Sequence, residues 1–125
     1  MEKLLLRGLR GATTVTKDDT ELILTATKEL LELMLEHNQI TDFDLIASIF
    51  FTTSPDLSSV FPAEAARAVG IKHVALICSS EIPVENSLEK AIRILMHVNT
   101  SQKQSEMKHI YLNNAKKLRP DLSNP

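Results

Sequence analysis

Residues 7–15 have the sequence Arg-Gly-Leu-Arg-Gly-Ala-Thr-Thr-Val, an apolar and β-branched run that contains two arginines and two glycines. This composition predicts a β-strand, and because side chains alternate across a strand, Arg7 and Arg10 should point to opposite faces. A guanidinium inside a strand is costly unless an anion meets it. Gly8 and Gly11 predict a bulge or a close approach of a ligand or neighbouring backbone. A solvated edge strand fits the same residues, so this stretch alone leaves the function open.

A long amphipathic helix is predicted over residues 19–37, directly after the strand that residues 4–15 should form. Asp18 and Glu21 have the spacing of a capping box at its start. The apolar residues that recur at helical spacing are Ile23, Leu30, Leu31, Met34 and Leu35. Such a helix buries one face, so it should cover one side of a sheet.

Three further strands are predicted over residues 46–53, 73–78 and 109–112. A short helix is predicted within residues 61–70, where Pro62 suits its first turn and Gly70 the position after its last.

Residues 88–99 are ambiguous between a helix and a strand. Their composition favours a helix, whereas Ile92, Ile94, Met96 and Val98 alternate as the buried face of a strand would. With a strand here the order of elements is βα-β-α-β-β-β, which predicts an α+β fold in which one long helix leaves a sheet face uncovered. The apolar alternation favours burial of that face against other subunits.

Length and composition indicate one globular domain, because the chain has 125 residues, of which 43% are hydrophobic and 24% charged. A net charge of -2 gives no general attraction to nucleic acid or to an anionic membrane, and no window is apolar for long enough to span one. The single cysteine, Cys78, excludes an internal disulfide and fits a reducing cytoplasm. A flexible tail is expected from about Arg119.

The candidate functional residues bind anions and carry no obvious nucleophile. No glycine-rich phosphate loop, histidine pair at metal-ligand spacing or nucleophile elbow is present, so neither a metal nor a cofactor is expected. Five arginines stand beside apolar residues, namely Arg7, Arg10, Arg67, Arg93 and Arg119. Three other polar residues lie near predicted strand ends, namely Cys78, Glu81 and Tyr111. Such a set can bind carboxylates and ether or hydroxyl oxygens.

Several separate motifs in this order resemble the monofunctional bacterial chorismate mutases of the trimeric α+β class. They are RGLRGATTV at residues 7–15, FPAEAAR at 61–67, Cys78 with Glu81, AIRILM around Arg93, HIYL around Tyr111 and LRPDL in the tail. The resemblance implies the Claisen rearrangement of chorismate to prephenate without a cofactor. It also implies a mixed sheet with one long and one short helix, a homotrimer with a barrel-like core of sheets, and a strand over residues 88–99.

The same resemblance implies a role for each matching residue. Arg93 would donate to the ether oxygen of the breaking bond, and Arg10 would bind a carboxylate. Glu81 and Cys78 would hold the ring hydroxyl of the substrate, while Tyr111 would reach its side-chain carboxylate.

Active sites of this family lie in clefts between subunits, so further residues are expected from a neighbour. Phe61 and Arg67 match that contribution, and Arg119 matches a tail arginine near the cleft mouth. Glu64 stands where some members have a lysine, which removes a cation at the entrance. The sequence leaves two alternatives open: a non-catalytic metabolite-binding or regulatory trimer of the same architecture, and a nucleic-acid module that uses Lys108, Lys116, Lys117 and Arg119.

Overall fold

A five-stranded mixed sheet is the framework of the protein in a computed structural model that describes residues 3–118. The strands are β1 (Leu5–Thr14), β2 (Ile46–Thr53), β3 (Ala75–Ser80), β4 (Ala91–Thr100) and β5 (Ile110–Tyr111). The α-helices are α1 (Thr20–His37) and α2 (Glu64–Val69), and short 3-10 helices lie at Phe43–Leu45, Gln104–Glu106 and Asn113–Lys117. The spatial order is β3-β2-β4-β1-β5. Strand β4 is antiparallel to β1 and β2, whereas β2 pairs with β3 and β1 with β5 in parallel. The predicted α+β class is therefore confirmed.

The hydrophobic core lies between one face of the sheet and both α-helices. The predicted apolar stripe of α1 is fully or almost fully buried there, and the helix also buries Thr27, whose hydroxyl donates to the carbonyl of Ile23 over 2.7 Å. Helix α2 adds Ala65 and Ala66 to the same core. It ends at Gly70, whose φ of 102° lies in the left-handed region where glycine has no steric penalty.

Some boundaries differ from the prediction. Asp19 rather than Asp18 caps α1, since its carboxylate accepts from the backbone N–H of Leu22 over 3.0 Å, while Asp18 binds a distant loop instead. Helix α2 begins at Glu64, two residues after Pro62, and β3 begins at Ala75 because it follows its parallel pairing with β2. The sequence near a helix end or a turn does not show which distant residues will pair with it, so these boundaries could not be predicted from local signals.

Strand β4 resolves the ambiguous segment. It pairs along most of its length with β1 on one side and β2 on the other, which makes it the central strand. Its alternating apolar residues Ile92, Ile94, Met96 and Val98 are buried in the core. Two ladders of backbone hydrogen bonds and this burial outweigh the preference of the segment for helix.

Side chains of helix α1 lie directly against Gly11 of β1. A Cβ at this position would lie 2.5 Å from Sδ of Met34 and 3.1 Å from Cδ1 of Leu30, whereas one at Gly8 would meet no atom closer than 3.9 Å. The register of β1 on β4 runs unbroken from Leu5 to Thr14. The predicted bulge is absent from the pairing of β1 with β4, and the close approach at Gly11 comes from side chains of α1 rather than from neighbouring backbone.

No α-helix of the described residues covers the opposite face of the sheet, where only the 3-10 helix at Asn113–Lys117 packs, with Ala115 against Ala12 and Tyr111. Large apolar side chains are exposed on it or at its edges, including Phe50, Ile77 and Leu6. No helix within residues 3–118 combines the length and apolar character that crossing a membrane requires.

Candidate active site

Arg10 and Arg93 lie on the uncovered face of the sheet, on neighbouring strands. In the β1–β4 register Arg10 is opposite Leu95 and Arg93 is opposite Ala12, so the two arginines share a face two residues apart along the strands. Arg7 lies on the other face, and its Nε donates to the carbonyl of Gln102 over 3.0 Å. The alternation predicted from the sequence is confirmed.

A cavity of about 410 Å³ opens between these arginines and the end of β3. Its polar lining consists of Arg10, Thr52, Glu81 and Arg93, and Phe50 is among its apolar residues. Glu81 is the first residue after β3, and its backbone N–H donates to the carbonyl of Thr53 over 2.8 Å. The hydroxyl of Thr52 donates to Oε2 of Glu81. The carboxylate is thus fixed at the edge of the cavity by contacts from β2.

The side chain of Arg93 is partly buried and has one donor without a partner. Its side chain is 24% exposed, and Nε lies 3.8 Å from Oε2 of Glu81, which is an ion pair but too long for a hydrogen bond. Within the described residues this buried Nε has no hydrogen-bond partner. Leaving a buried charged donor unpaired is costly, so the site is suited to a ligand that brings an acceptor to it.

Arg93, Ala12 and Tyr111 form one row across strands β4, β1 and β5. Ala12 is opposite Arg93 on one side and opposite Tyr111 on the other. The ring of Tyr111 is buried, and its hydroxyl has no hydrogen-bond partner within residues 3–118. Adjacent strands are about 4.8 Å apart, so Arg93 and Tyr111 stand on either side of a small alanine. Tyr111 does not itself line the cavity of Arg10, Glu81 and Arg93 in this chain.

Cys78 lies in a different place. In the register of β3 on β2 it is opposite Phe51, which is buried in the core, so Cys78 is on the helix-covered face. It lines a cavity of about 590 Å³ together with Phe61, Glu64, Ser79 and Ser80. Within one chain Cys78 and Glu81 consequently belong to different cavities, although they are three residues apart.

The loop before Phe61 is held in place by hydrogen bonds to Asp18. The backbone N–H groups of Ser58 and Ser59 each donate to its Oδ1 over 3.0 Å, and the Ser58 hydroxyl donates to Oδ2 over 3.2 Å. Hydrogen bonds from Ser59 and Ser58 hold the pKa of Asp18 below its usual value. Phe61 follows this anchored loop with 69% of its surface exposed, so the ring is presented on the outside of the protein.

The other predicted residues are not brought to either cavity. Arg67 is exposed on α2 and lines neither of them. Arg119 and the expected flexible tail lie outside the described residues. Among residues 3–118, no three His, Cys, Asp or Glu side chains are close enough together to hold a metal ion.

Sequence reasoning missed Thr52 and Phe50 as cavity residues. Their alternation within a predicted strand places them on one face, but only the pairing of β2 with β4 puts that face beside Arg93.

Comparisons with known proteins agree along almost the whole chain. A family model described as chorismate mutase type I matches residues 6–122. A chorismate mutase of Thermus thermophilus is 48% identical over 118 residues, which are 94% of this chain and 97% of that protein. One of Bacillus subtilis is 43% identical over 121 residues, covering 96% of this chain and 94% of the relative. A solved chorismate mutase structure from Clostridium thermocellum superposes with a TM-score of 0.86 at 47% identity, covering 88% and 97% of the two chains.

Proposed function

Because the chain belongs to the chorismate mutase type I family and is an isomerase that converts chorismate to prephenate, we propose that its substrate binds in the cavity lined by Arg10, Glu81 and Arg93. The buried Nε of Arg93 is the observation that supports this most directly, because a charged donor without a partner fits a site that a ligand completes. The reaction breaks a carbon–oxygen bond and forms a carbon–carbon bond in one step of aromatic biosynthesis, and it requires no proton transfer.

Arg93 supplies electrostatic stabilisation in this proposal. Negative charge grows on the ether oxygen as its bond breaks, so a fixed guanidinium binds the transition state more tightly than the substrate. An acceleration of ~10⁶-fold requires about 8 kcal/mol. Two unit charges ~4 Å apart attract by about 4 kcal/mol at an effective dielectric constant near 20. One guanidinium can therefore supply about half of the requirement.

Holding the two carboxylates of chorismate supplies the rest. The enolpyruvyl side chain is flexible, and the new bond forms only from a compact, chair-like geometry. Arg10 binds one carboxylate and the Tyr111 hydroxyl donates to the side-chain carboxylate, so the substrate is held in the reactive conformation. Glu81 accepts a hydrogen bond from the ring hydroxyl, and Cys78 contributes a second contact to that hydroxyl.

Cys78 acts only as a hydrogen-bonding group in this mechanism, so Cys78→Ser is expected to retain turnover within about tenfold of the original enzyme. The measurement is the loss of the diene absorbance of chorismate, with thermal denaturation as the check on folding. Complete inactivation of a folded Cys78→Ser protein would instead indicate thiol chemistry.

We propose further that the enzyme is a homotrimer whose active sites lie between subunits. We also propose that it acts in the cytoplasm. The apolar side chains on the uncovered sheet face support an assembly that buries them. The position of Cys78 supports shared sites, because it lies on the opposite face of its own sheet from Glu81 and Arg93. A substrate that contacts both groups takes Cys78 and Phe61 from one subunit and Glu81 with the arginines from its neighbour. Arg67 comes from the same subunit as Phe61, and Arg119 acts near the cleft mouth.

Mixed trimers test the shared site. Arg93→Ala disables one half of the site, and Ser80→Trp blocks the cavity of the other half from an exposed position. Unfolding the two inactive variants together and refolding them should restore about one quarter of the original activity, because that fraction of randomly formed interfaces has both halves intact.

The control is a mixture of Arg93→Ala with Arg10→Ala. Both residues belong to the same half of the site. Every site in the mixed trimers therefore lacks either Arg93 or Arg10, and activity should not return. Recovery in neither mixture, with native mass spectrometry showing trimers that contain both variants, would contradict a site built from two subunits.

A further inference from the structure

One edge of β1 is held by side chains where a neighbouring strand is missing. Strand β4 pairs with β1 along its whole length, but on the other side β5 pairs with Gly11 and Ala12 alone among the described residues. The segment before β5 forms the 3-10 helix at Gln104–Glu106 and does not pair with β1 as a strand. The backbone of β1 between Gly8 and Arg10 therefore needs other hydrogen-bond partners.

Two side chains of this segment supply them. The amide of Gln104 pairs with Gly8 as a strand would, accepting from its N–H over 2.9 Å and donating to its carbonyl over 2.6 Å. Two residues further along, the backbone N–H of Arg10 donates to Nδ1 of His109 over 2.9 Å. Gln104 and His109 thus continue the ladder of the sheet up to Arg10.

The bond to Arg10 requires an acceptor on the imidazole. Nδ1 accepts only when it carries a lone pair, so His109 is neutral and its proton is on Nε2. Arg10 is the residue of β1 that lines the cavity beside Arg93. The hydrogen bond from its backbone N–H to His109 fixes the part of the strand from which its side chain extends.

From this geometry we infer that His109 is a positioning residue for Arg10: the neutral imidazole fixes the strand backbone so that the guanidinium is directed at the substrate carboxylate. The inference rests on the proposed role of Arg10 in binding that carboxylate. His109 touches no reacting atom in it, so its loss weakens substrate capture and leaves the chemical step to Arg93.

The test compares His109→Leu with His109→Asn. Leucine and asparagine have nearly the same size and shape, but only asparagine has an acceptor, Oδ1, at the place of Nδ1. His109→Leu should raise KM for chorismate about three- to tenfold with kcat changed less than twofold, as expected for one hydrogen bond. His109→Asn should restore KM to near the original value. His73→Ala, at an exposed histidine outside both cavities, is the control and should change neither constant.

Equal KM values for the leucine and asparagine variants, whether raised or unchanged, would overturn the inference, because the acceptor would then have no effect. A fall in kcat without a rise in KM would do so as well. Arg10→Ala separates this failure from that of the proposed function: if Arg10→Ala leaves KM unchanged, the carboxylate role of Arg10 is wrong. If Arg10→Ala raises KM while His109→Leu does not, only the positioning role is wrong.

Discussion

Replacing Arg93 with alanine is expected to lower kcat for chorismate by about three decades while the protein stays folded. The guanidinium contributes about 4 kcal/mol to the transition state in the proposed mechanism, and about 1.4 kcal/mol corresponds to a factor of ten in rate. Its Nε is buried without a hydrogen bond in the described structure, so its removal should not lower the thermal midpoint. Glu81 keeps its hydrogen bond from Thr52 in the variant. Steady-state kinetics and thermal denaturation measure the two effects.

Arg7→Ala is the matched control for this experiment. Arg7 is an arginine of the same sheet but lies on the opposite face, where its Nε binds the carbonyl of Gln102. Its loss should leave kcat within about twofold and affect mainly stability. Arg93→Lys keeps the charge but not the planar group of donors, so it should stay well below the original kcat. An Arg93→Ala enzyme with near-original turnover would refute the electrostatic role.

Gly11→Val is expected to destabilise the fold by about 1–3 kcal/mol, the range for overpacking a filled core. Even a Cβ at this position would lie 2.5 Å from Sδ of Met34, and valine adds two methyl groups beside Leu30. The local preference of valine for strands opposes this effect but is smaller. The thermal midpoint, measured at one protein concentration because assembly contributes to stability, should fall by roughly 5–15 °C.

Gly8→Ala is the control, since a Cβ there would meet no atom closer than 3.9 Å and alanine loses less backbone freedom than glycine on folding. It should leave the midpoint unchanged or raise it. In the double variant Gly11→Val with Met34→Ala, the space vacated by the methionine should recover part of the loss. A Gly11→Val protein as stable as the original would show that α1 does not pack on β1 at this distance.

Patterns that depend on neighbours in the chain were predicted well from the sequence. The apolar stripe of α1 follows from local periodicity, and the bounds of β2 follow from its β-branched and aromatic residues and the turn after it. The opposite directions of Arg7 and Arg10 follow from strand geometry. The resemblance of separate motifs to one family was specific enough to indicate the reaction, which the comparisons support.

Features that depend on distant partners could not be predicted in this way. Asp18 and Asp19 are equivalent capping candidates in the sequence, and only the contact of Asp18 with the loop at Ser58 makes Asp19 the cap. The composition of residues 88–99 favours a helix and their alternation a strand; the family resemblance implies the strand, and pairing with β1 and β2 on both edges of β4 is the physical reason for it.

The sequence by itself determined which residues can bind an anion and which family they belong to, because residue types and their order are local properties. Only the tertiary structure decided how these residues are grouped. Glu81 joins Arg10 and Arg93 on the uncovered face, whereas Cys78 lies behind the same sheet with Phe61. The physical reason is that a side chain's neighbours are set by strand pairing and by the packing of the helices on one face, which join residues far apart in the chain.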